Sequence, residues 1–243
     1  MSTISTEDPI ALATVTAIHA GDLEGMAKLL GDNPWLATAR LGDGDSEGMS
    51  RSLLHVVTDW PGHFPNGAAM VALLAIAGAD VNAPFAGPHQ ETPLHWAASS
   101  NDVEVLDALL DAGADIEAPG SVLGGGPPLS DARGFGQWKA AHRLVERGAR
   151  TYIMDEAALG LIDRLEERFT ADPPSPEDIN LGFWAACQGG SQSCARVLLE
   201  RGADINWLPP WENLSPLDAA EREGAVELVV FLRSQGAKTA REL

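Results

Sequence analysis

The chain repeats one short pattern of apolar and polar positions. Its clearest copy begins with Glu91-Thr92-Pro93-Leu94-His95-Trp96-Ala97-Ala98, runs on through Val105-Leu106-Asp107-Ala108-Leu109-Leu110, and closes at Gly113-Ala114-Asp115-Ile116. Thr92-Pro93 predicts the opening of a first helix, because proline is tolerated in the first turn, where its missing N–H would have no partner. The two small alanines let a second helix pack close to the first, and the Leu109-Leu110 pair supplies the apolar face of that second helix. Gly113 predicts its end, in the left-handed conformation that glycine adopts most cheaply.

With this copy as a ruler, helix-ending Gly-Ala pairs fall at Gly78, Gly113, Gly148, Gly202 and Gly236, at intervals of 35, 35, 54 and 34 residues. The long interval hides a shortened unit: Asp155-Glu156-Ala157-Ala158-Leu159-Gly160, then Ile162-Asp163-Arg164-Leu165, reads as the same two helices without a connecting finger. Ala17-Ile18-His19-Ala20-Gly21-Asp22-Leu23, turning into Met26-Ala27-Lys28-Leu29-Leu30, is a degenerate first copy. Seven units are therefore expected, starting near residues 9, 51, 91, 127, 151, 178 and 214, as one array over residues 9–240 behind a flexible N-terminus at 1–8. The last unit carries Asp218, Glu221 and Arg222 where inner copies are apolar or neutral. That suits a terminal cap, which exposes a side that inner units bury.

The order Thr92-Pro93-Leu94-His95-Trp96-Ala97, with the second helix and Gly113 behind it, resembles the ankyrin repeat. The resemblance extends over residues 9–240 and is most specific in units two, three, six and seven. It implies an all-α solenoid of stacked helix-turn-helix units, elongated and right-handed, with a concave groove and projecting fingers, in a short bacterial-type protein made of a single array. It also implies structural roles for His55 and His95, which would bridge backbone groups of neighbouring turns. The function it implies is an intracellular module that binds a protein partner through groove and fingers.

Three fingers are unusual. The segment from Pro84 to Gln90 holds Phe85 and His89; that from Pro119 to Gly126 is glycine-rich with Val122 and Leu123; Trp207-Leu208-Pro209-Pro210-Trp211 sets two tryptophans around a proline pair. Gly124-Gly125-Gly126 is no phosphate loop, since it lacks the following Lys-Ser/Thr. The second unit also carries an insertion. From the residue matching Ala97 to the closing glycine it takes 21 residues where the third unit takes 16, the extra ones lying around Asp59-Trp60-Pro61-Gly62-His63-Phe64-Pro65. This stretch is either a structural cover over the groove edge or a lip that contacts a ligand.

Charge narrows the partners. Thirty-five acidic against 16 basic residues give a formal charge of −19. Such a surface favours solubility and repels nucleic acids and anionic membranes, so neither is expected as a partner. No apolar run approaches the roughly 18 residues of a membrane span, and the first nine residues lack the features of a secretory signal. Cys187 and Cys194 make no disulfide framework, which fits a reducing, cytoplasmic compartment. No metal-ligand spacing is present and no cofactor is expected. The expected state is a monomer.

One position carries the candidate chemistry, the residue just before the small pair. In register it reads Thr16, Val56, Trp96, Asp131, Asp155, Trp184 and Ala219. Two aspartates flanked by tryptophans depart together from the apolar norm. Neighbouring first helices lie about 8–10 Å apart, so the carboxyl groups of Asp131 and Asp155 would approach each other in a groove. Like charges held that close raise one pKa, as general acid work near neutral pH requires, while Trp96 and Trp184 would stack on a substrate or hold a cation. Arg133 and Glu156 break the small pair beside this site and are expected to pair with each other or with the aspartates, orienting them. Two functional classes stay open. One is protein binding through exposed anchors at Phe85, Trp207, Trp211, Trp60, His63 and Phe64; the other is small-molecule binding or an acid–base isomerisation or cyclisation at Asp131, Asp155, Trp96 and Trp184.

Overall fold

The computed structural model describes residues 3–42 and 48–243. Among them, fourteen α-helices follow one another in seven pairs, so the fold is the expected all-α one. The pairs are α1 and α2 (Pro9–Ala20, Leu23–Asp32), α3 and α4 (Leu53–Thr58, Gly67–Ile76), α5 and α6 (Pro93–Ser99, Val103–Asp111), and α7 and α8 (Pro128–Gly134, Trp138–Glu146). They continue as α9 and α10 (Ile153–Ala158, Ile162–Ala171), α11 and α12 (Pro176–Gln188, Gln192–Glu200), and α13 and α14 (Pro216–Arg222, Val226–Ser234). The chain divides into two compact units, Met1–Ala149 and Arg150–Leu243.

Each unit is a stack. In the first, α1, α3, α5 and α7 pack in succession, and α2, α4, α6 and α8 form a second row. The buried faces are those set by the pattern: Leu53, Leu54, Met70 and Leu74 in one pair, Leu94, Ala97, Leu106 and Leu109 in the next. Each fully buried leucine contributes roughly 1.5–3 kcal/mol. In the second unit α9, α11 and α13 are the inner row, over a core that includes Phe183, Leu198, Leu217 and Leu232.

Capping fixes the helix starts. Ser52 and His55, Thr92 and His95, Ser175 and Asp178, and Ser215 and Asp218 form reciprocal caps, and in these, as in Tyr152 and Asp155, the side chain three positions into the helix accepts the cap residue's own N–H. These caps mark register more reliably than the alanine pair does.

The N-terminus differs from expectation. Thr3–Ser5 (β1) pairs in parallel with Arg40–Gly42 (β2), which pairs antiparallel with Ser50–Ser52 (β3). The residues expected to be flexible thus include a paired strand. Arg40 ties this sheet to the finger that follows α4: its guanidinium donates to Ser50 O at 2.6 Å and to Pro84 O at 2.8 Å.

Candidate functional site

The first unit organises a site around Glu91. His55 Nε2 lies 3.0 Å from Glu91 O, and the Phe85 N–H donates to that same carbonyl at 2.7 Å. Because the carbonyl only accepts, the His55 proton sits on Nε2, and Nδ1 accepts from Ser52. Burial holds His55 in this neutral form, with its pKa lowered to about 3. His95 repeats the arrangement with Thr92 and Gly126 O, and its pKa falls to about 4 for the same reason. Both histidines are thus structural, as the resemblance implied.

Asp131 on α7 is fully buried. Ser121 Oγ donates to its Oδ1 at 2.5 Å, but no donor reaches Oδ2. Beside it lies the Glu91 carboxyl, repulsive when both groups are ionised and hydrogen-bonded when one holds a proton. Burial first, and then Glu91, pushes the Asp131 pKa up to about 7, against the opposing Ser121 bond and the more distant Arg133 charge. Burial also raises Glu91, whose Oε2 accepts from Trp96 Nε1 at 3.3 Å. Burial and mutual repulsion therefore both favour a proton held on this carboxyl pair.

The glycine-rich finger builds this contact. Gly120 and Ser121 N–H groups donate to Gly125 and Gly126 carbonyls at 3.1 and 3.0 Å, closing a tight loop that aims Ser121 at Asp131. Gly120 has φ of 140°, and a Cβ there would stand 2.3 Å from Gln90 O. Only glycine lets the loop approach the Gln90-Glu91 backbone this closely.

Above Glu91 opens a cleft of about 450 Å³, lined by Trp60, Trp96, Val122 and Phe135 together with Asp59, Ser99 and Gln137. Trp60 is 83% exposed and Phe135 half-exposed, whereas Trp96 is half-buried and edge-on to His55. Asp59 is ion-paired with Arg51. Sequence reasoning named Trp60, Trp96 and Asp131 but missed Glu91 and Ser121. Glu91 stands just ahead of the Thr-Pro motif, outside any one unit's aligned pair.

The insertion is mainly a clamp. His63 donates its N–H to Asp102 Oδ2 at 2.6 Å and lies 3.1 Å through Nε2 from Ser100 O, while Phe64 stacks on His19 at 4.2 Å. Asn66 completes the clamp with a 2.9 Å bond to Gly21 O. Trp60 is left projecting along the cleft.

In the second unit the caps correct the alignment by one residue. Asp155 accepts Tyr152 N–H at 2.9 Å and so matches His55, His95 and Asp218; Glu156 is the true counterpart of Trp96 and Asp131. The alanine pair misled the reading because the buried Glu156 occupies the place that was assigned to a broken alanine. Glu156 is held by Arg168, with two guanidinium bonds of 2.8 and 2.7 Å, and by Thr151 at 3.0 Å. Arg168 was not foreseen in this role. Trp184 is buried, and its Nε1 donates to Leu214 O at 3.0 Å, the bridging task that His55 and His95 perform in the first unit. It is therefore a core residue rather than a groove wall. Trp211 packs edge-on to both Trp184 and Trp207, at 5.8 and 6.2 Å, and is about half-exposed.

Among the described residues, no group of three His, Cys, Asp or Glu side chains is placed to hold a metal ion, and no helix is long and apolar enough to cross a membrane.

The ankyrin repeat model matches residues 89–121 and 183–208, one copy in each compact unit. The chain carries ankyrin repeats. It is 31% identical over 141 residues to the ankyrin repeat and KH domain-containing protein mask-1 of Caenorhabditis elegans, covering 58% of this chain and 4% of that protein. It is 40% identical over 141 residues to palmitoyltransferase AKR1 of Kluyveromyces lactis, covering 58% of this chain and 16% of the enzyme. Alpha-latrocrustotoxin-Lt1a of Latrodectus tredecimguttatus is 29% identical over 152 residues, 63% of this chain and 9% of the toxin. The chain thus spans only a small part of the curated relatives it matches. The ankyrin repeats matched in this chain indicate a protein-interaction module.

Proposed function

We propose that this ankyrin array binds a basic protein partner in the cytoplasm, through the finger and insertion side of its first unit. One observation carries the reading: Trp60, Phe135 and Leu123 stand 83%, 49% and 44% exposed around a single cleft and its finger. Large apolar side chains grouped in this way are the usual anchors of a binding surface. The formal charge of −19 favours a partner of opposite sign and speeds the encounter. Cys187 and Cys194 are both free and buried, in keeping with a reducing compartment.

The test is affinity capture with the wild-type chain and with a Trp60→Ala, Phe135→Ala double variant of unchanged circular dichroism. A partner retained by the wild type, lost by the variant and weakened by salt is the expected result. Partners retained equally by both would refute this surface.

A further inference from the structure

We propose that the cleft over Glu91 is a binding site for an organic ammonium group. The floor of the cleft is Glu91, backed by the buried Asp131 carboxyl, and among the described residues neither carboxyl has a counter-ion in contact. Glu156, at the equivalent place in the second unit, shows what a purely structural buried carboxylate looks like here: Arg168 neutralises it with two bonds of 2.8 and 2.7 Å. Asp131 has instead one serine donor and an Oδ2 that no donor reaches, with the Glu91 carboxyl beside it. Glu91 is the member that faces the cleft.

The walls suit the same ligand. Trp60, Trp96 and Phe135 line the opening, and among the described residues that line it none is cationic. Aromatic faces attract an alkylated ammonium through their quadrupole, and a carboxylate below adds direct charge pairing. A volume of about 450 Å³ accommodates a small amine or the end of a lysine side chain. The shared chemistry is the ammonium head, from either a free amine or a protein side chain. This inference rests on the floor and walls of the cleft and does not require the protein-binding proposal.

Proton linkage follows. The pair is most attractive to a cation when both carboxyls are ionised, so binding expels the shared proton and strengthens as pH rises toward 8. The other titratable and charged groups around it are His89 on the same loop, Arg133 on α7, and the ion pair of Arg51 in β3 with Asp59 after α3; His55 and His95 are held neutral by burial. A His89→Gln variant, carried alongside, removes the imidazole that neighbours Glu91.

The experiment titrates the full chain by tryptophan fluorescence and calorimetry with choline and with its neutral isostere 3,3-dimethyl-1-butanol. A second arm uses N-acetyl-lysine amide against N-acetyl-norleucine amide. The expected result is at least tenfold preference for the cation over its isostere in one arm, with proton release at pH 7 and a loss of about tenfold or more in Glu91→Gln. The stronger arm identifies the source, free amine or side chain. Equal binding of cation and isostere, no saturable cation binding in either arm, or full affinity in a folded Glu91→Gln variant would overturn the proposal. Because these probes need no macromolecular partner, a failure here is separable from a failure of the capture experiment.

Discussion

Replacing Asp131 by Asn makes the first unit more stable at pH 8 and leaves it nearly unchanged at pH 4. In the folded chain the Asp131 pKa is raised from 3.8 to about 7, chiefly by burial. A raised carboxyl pKa means that the folded state binds the proton more tightly than the unfolded chain does. Stability is therefore highest below pH 4 as far as this group is concerned, and it declines as pH rises from about 4 to about 7. Roughly three pK units at about 1.4 kcal/mol each give a loss of about 4 kcal/mol across that window. Asn does not titrate, and its Oδ1 still accepts from Ser121 while its Nδ2 supplies Glu91 with a donor. Urea unfolding followed by circular dichroism at pH 4, 5.5, 7 and 8 measures the effect as the difference between variant and wild type. His55 and His95 also titrate on acid unfolding, but they do so in both proteins and cancel in that difference. The gain reaches about 4 kcal/mol at pH 8, or about 8–16 °C in melting temperature. Parallel pH profiles, or a variant less stable at pH 8, would refute the shared-proton reading.

Two further outcomes test the packing. Arg168→Met leaves Glu156 buried without its counter-ion and costs about 3–5 kcal/mol, much of it recovered when Glu156→Gln is added; additive losses in a double-mutant cycle would contradict the pairing. Gly120→Ala forces the finger away from Gln90 O and costs about 1–3 kcal/mol by urea melts, and an unperturbed melting curve would show that the close approach is not required.

The helix pairs were legible because most carry at least two marks of one punctuation, with Pro at the start, a small pair in the middle and Gly at the end. Even the fingerless fifth unit was readable from Ala157-Ala158 and Leu165. The candidate site was half legible. Trp96 and Asp131 stand at a position whose residue type departs from the other units, and comparison among units exposes that. Glu91 and Ser121 lie in connecting segments, where no periodicity constrains residue type, and they reach Asp131 only because His55 fixes one backbone and Gly120 admits the other. Trp184 misled for a different reason. Its position suggested a groove wall, but an indole N–H can replace a histidine as the bridge to the next unit, and Leu214 O supplies the acceptor. The one-residue error at Asp155 has the same origin, since an aspartate there serves as a helix cap, and a cap is invisible to an alignment made on alanines.

The repeat makes Asp131 and Glu156 a natural comparison, because both place a buried carboxyl at the same turn of a first helix. Burying such a group costs several kcal/mol unless it is paired or protonated. In the second unit the sequence resolves this with an arginine one helix away, and the result is inert: a satisfied ion pair, with Glu156 closed off from solvent. In the first unit the equivalent second helix, α8, instead brings Arg143, with Arg147 at its C-cap, to Asp107. The carboxyl is left to a serine and a second acid, and that second acid opens on a cleft walled by aromatic rings. A scaffold that solves the same problem with an ion pair in one unit and with a shared proton in the other keeps, in the second case, a charge that can be exchanged. That difference, rather than the count of acidic residues, is what supports the proposal of binding chemistry at Glu91 and sets the ion-paired Glu156 apart from it.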